Sequence, residues 1–181
     1  GDWIAYLDSD DYWYPTRLQC LVDSMDGDLK YDVISTDEYK TNNLTGEKTK
    51  LIYGPLKGYK YRSLLLYGNR LSPSASLVRK EFLLENEVRF NESSEFVTVE
   101  DYDYWLQLAL SDATFKFVRS FEGEYLVHGT NSSGYLTLHK RNRLNLLKYH
   151  VLSVQKFAAD KDKLWRDMQA VASFQEAFQR L

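Results

Sequence analysis

The sequence predicts an α/β fold, a sheet flanked by helices and followed by a helical C-terminal segment. Three observations carry this. Short runs rich in β-branched and aromatic residues, such as Trp3-Ile4-Ala5-Tyr6-Leu7, have the length of strands. Segments with apolar residues three and four apart lie between them. From Leu136 onward only helical spacing remains. The 181 residues suit one domain with a real core, and 44% hydrophobic and 27% charged residues are ordinary for a soluble globular chain.

The apolar run over residues 3–7 ends in Asp8-Ser9-Asp10-Asp11 and reads as a strand buried on both faces of a parallel sheet. Pro15 suits the first turn of a helix over 16–25, with Leu18, Leu21 and Val22 on one face. Residues 31–39 read as a second strand centred on Val33 and Ile34. The turn Thr41-Asn42-Asn43-Leu44-Thr45-Gly46 leads to an outer strand over 48–53. A short helix over 61–66, a strand over 74–78 and a helical turn over 80–84 follow. The next clear helix covers 98–110, and strands are expected over 114–118 and 124–127. After a polar loop over 129–134, helices are expected over 136–157 and 161–181. In the last one Leu164, Met168, Val171, Phe174 and Phe178 share a face that suits packing within the chain or a homo-oligomer contact.

A net charge of −3 and a pI near 5.7 argue against electrostatic binding of nucleic acid. The one basic cluster, His139-Lys140-Arg141-Asn142-Arg143, opens a predicted helix; it reads as a solvated face, or as a contact to phosphate or anionic lipid. Aromatic residues make up 15% of the chain, which fits a Tyr-rich core and surface or stacking on sugars and bases. Cys20 is the single cysteine, so no intramolecular disulfide forms. With no signal peptide and no transmembrane run, a reducing compartment is expected: the cytoplasm, free or at the inner face of the membrane. The triplets at Asn43, Asn91 and Asn131 that match glycosylation acceptors are read as chance.

The first chemical signal is the acidic cluster. A strand that delivers Asp8, Asp10 and Asp11 to its carboxyl end puts like charges where open α/β sheets bind ligands. Such a group calls for a compensating cation, and oxygen ligands favour Mg²⁺ or Mn²⁺ shared with substrate phosphates. A solvated acidic turn is the plain alternative. An EF-hand loop is excluded because Tyr12 and Trp13 stand where an acidic or amide residue and Gly belong. A dehalogenase-type phosphatase with Asp8 as nucleophile stays open, although Tyr12 departs from its pattern.

The second signal is Glu100-Asp101-Tyr102-Asp103-Tyr104-Trp105. On a helix, Asp101, Trp105 and Leu108 share one face, and a carboxylate beside apolar surface suits a general base. Thr98-Val99-Glu100-Asp101 also fits a capping box, which explains the same acids structurally. A third signal is His128, between a predicted strand and a polar loop, able to touch a metal or diphosphate or to serve structure alone.

Together these segments resemble the family 2 glycosyltransferases with a GT-A fold. The run from Gly1 to Leu18 is similar to that family's strand, Asp-x-Asp-Asp motif, Trp-x-Pro turn and following helix. Asn69 to Lys80 resembles its acceptor-side strand, and Glu100 to Ala109 its Glu-Asp helix. The resemblance covers residues 1–135, the later part of the catalytic domain, with 136–181 as a helical extension. The nucleotide-binding half is expected upstream of Gly1.

The resemblance implies a metal-dependent inverting transferase acting on a UDP-sugar or another nucleotide-diphosphate sugar, with a glycan or lipid-linked acceptor, in bacterial polysaccharide synthesis. It makes Asp101 the catalytic base and Glu100 its acceptor-binding neighbour, with Trp105 walling the acceptor pocket. Asp10 becomes the principal ligand of Mn²⁺ or Mg²⁺, Asp8 a ligand of metal or donor, and His128 a diphosphate or metal contact. Gln107 departs from the family, where Arg is frequent, which alters how base or diphosphate is held. A non-catalytic binding or oligomerisation module is the reading that the missing half would favour.

Overall fold

The computed structural model describes residues 1–25, 30–127, 136–154 and 158–178, the side chains of residues 136, 172 and 174–178 excepted. Its strands are β1 (Trp3–Ala5), β2 (Tyr12–Trp13), β3 (Val33–Asn42), β4 (Lys48–Leu51), β5 (Ser76–Arg79) and β6 (Phe115–Val127). Its helices are α1 (Arg17–Ser24), α2 (Lys60–Tyr67), α3 (Lys80–Glu85), α4 (Glu100–Leu110), α5 (Leu136–Ser153) and α6 (Lys161–Phe178). The strands form one mixed sheet in the order β1-β5-β3-β6-β2, with β4 paired to the far end of β3. Among the described strands only β3 and β6 pair in parallel.

Period-two alternation explains the layers. On β3, Val33 faces the main core and Ile34 a smaller cluster with Leu21 and Leu77; on β5, Val78 and Leu77 divide the same way. The main core lies under α2, α4, α5 and α6, and it takes in Leu146, Leu147, Val151, Leu164 and Met168 from the last two helices. The inward face expected for the final helix is therefore covered, at Leu164 and Met168, by the chain itself.

Three expectations need correction. β1 is no doubly buried parallel strand: it pairs antiparallel with β5 at one end of the sheet and is only half-buried. α1 turns Arg17 and Leu21 inward and leaves Leu18 54% and Val22 58% exposed. The cause is Arg17, 1% exposed, whose guanidinium stacks 4.7 Å over the Trp13 ring and donates to Thr36 Oγ1 at 2.8 Å. The two strands expected near residues 114–127 are one. Pairing jumps from Thr36 with Val118 to Asp37 with Phe121, so Arg119 and Ser120 bulge and break the hydrophobic pattern without ending the strand.

The connection after β4 turns at Gly54, whose φ of +53° lies in the left-handed region, and a β-carbon there would stand 2.5 Å from the Phe117 ring. Gly54→Ala is expected to destabilise the fold by roughly 1–3 kcal/mol, read from urea denaturation. A shift below 0.5 kcal/mol would show that the ring yields freely.

Candidate active site

α4 is buried on almost every side: Tyr102, Tyr104, Trp105, Leu106, Leu108 and Ala109 are each at most 3% exposed. A helix covered this far sits inside the core, and beyond its first turn only Gln107 and Leu110 keep partial exposure. The open end is the first turn, where Glu100 is exposed and Asp101 half-buried. Facing it is the turn after β1, closed by the Asp11 N–H donating to Asp8 O at 3.1 Å. Asp8, Ser9, Asp10, Glu100 and Asp101 line a single cavity of about 970 Å³.

The motif turn is anchored from behind. Buried Ser74 accepts the Asp8 N–H at its hydroxyl (3.0 Å) and the Trp13 indole N–H at its carbonyl (2.8 Å), and Trp13 is stacked under Arg17. Asp11 turns away from the cavity and accepts the Leu126 N–H at 3.1 Å. Deeper still, Glu38 is fully buried and accepts from the Tyr53 hydroxyl at 3.0 Å. Burial, with the Asp11 charge adding to it, pushes its carboxyl up to about 7.

The two cavity acids that the sequence singled out differ electrostatically. The cavity walls partly desolvate Asp8, and the charges of Asp10 and Glu100 act the same way, so its carboxyl is raised. Burial raises Asp101 to about 6, helped by Glu100 and Asp8, while the Tyr102 N–H and the Asn69 amide pull it down. Asn69 Nδ2 donates to Asp101 Oδ2 at 2.8 Å and so fixes one carboxylate oxygen. The capping box does not form: Val99 is the N-cap, without a side-chain cap bond, and Thr98 adopts φ +74°. Asp101 instead serves the first turn through Oδ1, which accepts the Tyr102 N–H at 2.7 Å.

An all-oxygen donor set of acidic side chains fits a hard divalent cation, and the repulsion from Asp10 and Glu100 that adds to burial in raising Asp8 is what such an ion would relieve. Among the described residues no three His, Cys, Asp or Glu converge closely enough to hold a metal by themselves. Asp8 and Asp10 could therefore serve as two ligands, with substrate oxygens and water as the others.

The other expected site residues separate. Trp105 is 0% exposed and does not line the cavity; one turn below Asp101 the helix is already covered, so its indole packs in the core. Tyr67 (58% exposed) and Phe90 (37% exposed) line the cavity instead, and nothing in their sequence context marked them. His128 lies outside the described residues. Asn69 was within a noted segment, but only the fold brings its amide to Asp101. His139 and Arg143, read from sequence as part of a solvated face or as a contact to phosphate or anionic lipid, also line the cavity.

The family model described as glycosyl transferase family 2 matches residues 1–85. An uncharacterized glycosyltransferase of Methanocaldococcus jannaschii is 26% identical over 149 residues, covering 80% of this chain. The chain spans about half of that relative, 48% of its length. The crystal structure of S. aureus TarS superimposes with a TM-score of 0.56 at 16% identity, over 93% of this chain and 28% of TarS, a likeness of fold. α4 and its acids lie beyond the family match and rest on the geometry above. Among the described residues no helix is long and apolar enough to cross a membrane.

Proposed function

We propose that this chain, whose residues 1–85 match the glycosyl transferase family 2 model, is a glycosyltransferase of that family and carries the metal-binding and acceptor side of an inverting enzyme. The reaction moves a sugar from a nucleotide-diphosphate donor, a UDP-sugar, to an acceptor hydroxyl in glycan or polysaccharide synthesis at the cytoplasmic side. What supports this is the meeting of the Asp8-Ser9-Asp10 turn and the first turn of α4 in one cavity.

Asp101 accepts the proton of the acceptor hydroxyl as its oxygen attacks the anomeric carbon of the donor. The new C–O bond forms on one face of the sugar while the bond to the diphosphate breaks on the other, which inverts the configuration. With its carboxyl near 6, Asp101 is ionised at neutral pH yet basic enough to take a proton. Asn69 orients it, and Glu100 at the rim holds acceptor hydroxyls. Tyr67 and Phe90 supply apolar faces for sugar rings, the part expected of Trp105. Mn²⁺ or Mg²⁺ held by Asp8 and Asp10 would neutralise charge on the departing nucleoside diphosphate.

Calorimetry of UDP binding with and without Mn²⁺ tests the donor side. Binding that requires the metal is expected, and Asp10→Ala should weaken it by at least about tenfold. Equal affinity in the variant would take Asp10 out of the metal site.

A further inference from the structure

The basic cluster at the start of α5 is divided by the fold. Lys140 and Arg141 are exposed, whereas His139, Asn142 and Arg143, three and four residues apart, share an inward face. Asn142 is fully buried and donates to Val97 O at 2.8 Å. His139 Nδ1 lies 3.1 Å from Thr98 O, and since a carbonyl can only accept, that nitrogen carries the proton. Both contacts grip the segment that enters α4, where Thr98 holds a φ of +74° that β-branched residues rarely adopt.

Arg143 reaches further. Its guanidinium NH2 lies 3.7 Å from where a β-carbon on Gly68 would stand. Gly68 ends α2 at φ +84° and is followed by Asn69, the residue that holds Asp101. The guanidinium therefore sits against Gly68, next in sequence to Asn69, and Arg143 lines the same cavity as Asp8, Asp10, Glu100 and Asp101. A cavity with four acids repels any anionic substrate unless a cationic wall offsets them. A planar guanidinium is the side chain best matched to phosphate oxygens.

We propose that Arg143, with His139 beside it, forms a phosphate-binding wall of this cavity, so that one substrate presents a phosphate group to α5 while its partner engages Asp8 and Asp10 or Asp101. This deepens the glycosyl-transfer reading and rests on it only for the source of the phosphate. That source is either the donor's diphosphate or a phosphate carried by the acceptor.

The test titrates inorganic phosphate into the whole chain without metal, followed by NMR, and UDP with Mn²⁺ by calorimetry. Wild type, Arg143→Gln, Arg143→Lys and His139→Gln are compared, with circular dichroism melts to confirm folding. Phosphate affinity should fall about tenfold or more in Arg143→Gln, recover in part in Arg143→Lys, and fall less in His139→Gln. If Arg143→Gln weakens UDP·Mn²⁺ by a similar factor, and UDP displaces phosphate, the donor's diphosphate occupies the wall. If UDP binding is unchanged and phosphate still binds in its presence, the wall serves a phosphorylated acceptor. Phosphate binding without any UDP binding would sustain the wall and count against the donor reading. Equal phosphate affinity in wild type and a folded Arg143→Gln, or none in either, overturns the proposal.

Discussion

Asp101→Asn should lower kcat for sugar transfer by roughly 10²–10⁴ while leaving nucleotide affinity nearly unchanged. The substitution keeps the volume and one of the two bonds that Asp101 accepts, from Asn69 Nδ2 and from the Tyr102 N–H, but removes the carboxylate that takes the acceptor proton. On the proposed reading Asp8 and Asp10 hold the metal and with it the donor's diphosphate, so nucleotide binding should be spared. The pH profile supplies an independent check. Burial holds the Asp101 carboxyl near 6, and only its ionised form can act as base. kcat/KM should therefore fall as pH drops through about 6 and level off above it. The Glu100 and Asp8 charges contribute to that raised value, so a cation at Asp8 should move the midpoint downward. In Asp101→Asn the limb near 6 should vanish along with most of the rate. A variant with wild-type kcat, or a limb that persists in it, would remove Asp101 from the proton transfer.

Much of this arrangement was legible before any coordinates, because strand and helix periodicity are local. The placements of α1, β3, β4, α2 and α4 agree with the sequence pattern to within a few residues. What failed were properties set by partners far along the chain. The same apolar run can be a central parallel strand or an end strand, and only β5 decides it for β1. A helical spacing of four put Trp105 beside Asp101 correctly, but spacing does not say how deep the helix is covered. The basic cluster was visible as charge, whereas the inward turn of Arg143 depends on α2 ending at Gly68. β2 is two residues long and exists only because β6 offers it an edge, so no local pattern could announce it. Gln107, noted as a departure from the resembled family, is half-buried and ties the core to a loop: its amide donates to Asp103 Oδ2 at 2.6 Å and to Arg89 O at 2.9 Å.

That interior network carries the largest stability effect expected. His150 on α5 (2% exposed) has Nε2 2.7 Å from Asp103 Oδ1 and Nδ1 2.8 Å from the hydroxyl of Tyr61. Asp103 and Tyr61 are at most 1% exposed, so α2, α4 and α5 are joined by polar groups with no access to water. Burial raises the Tyr61 hydroxyl, keeping it protonated as a donor, and leaves the imidazole N–H to donate to the carboxylate. Removing one member strands the others. His150→Ala should cost about 3–5 kcal/mol in urea denaturation, since Asp103 loses a buried partner and the ring leaves a cavity. His150→Phe restores volume but not hydrogen bonding, so it should recover only part of that loss. Replacing Asp103 by Leu in the His150→Phe background removes the stranded charge and should cost much less than the two single changes added together. Strict additivity of the two changes would mean that the pair does not interact. A loss below 1 kcal/mol in His150→Ala would mean that water reaches Asp103 once the ring is gone. Because Asp103 stands half a turn below Asp101, the same variants report how far the proposed base depends on α5: folded His150→Phe should show a lower kcat with UDP affinity unchanged.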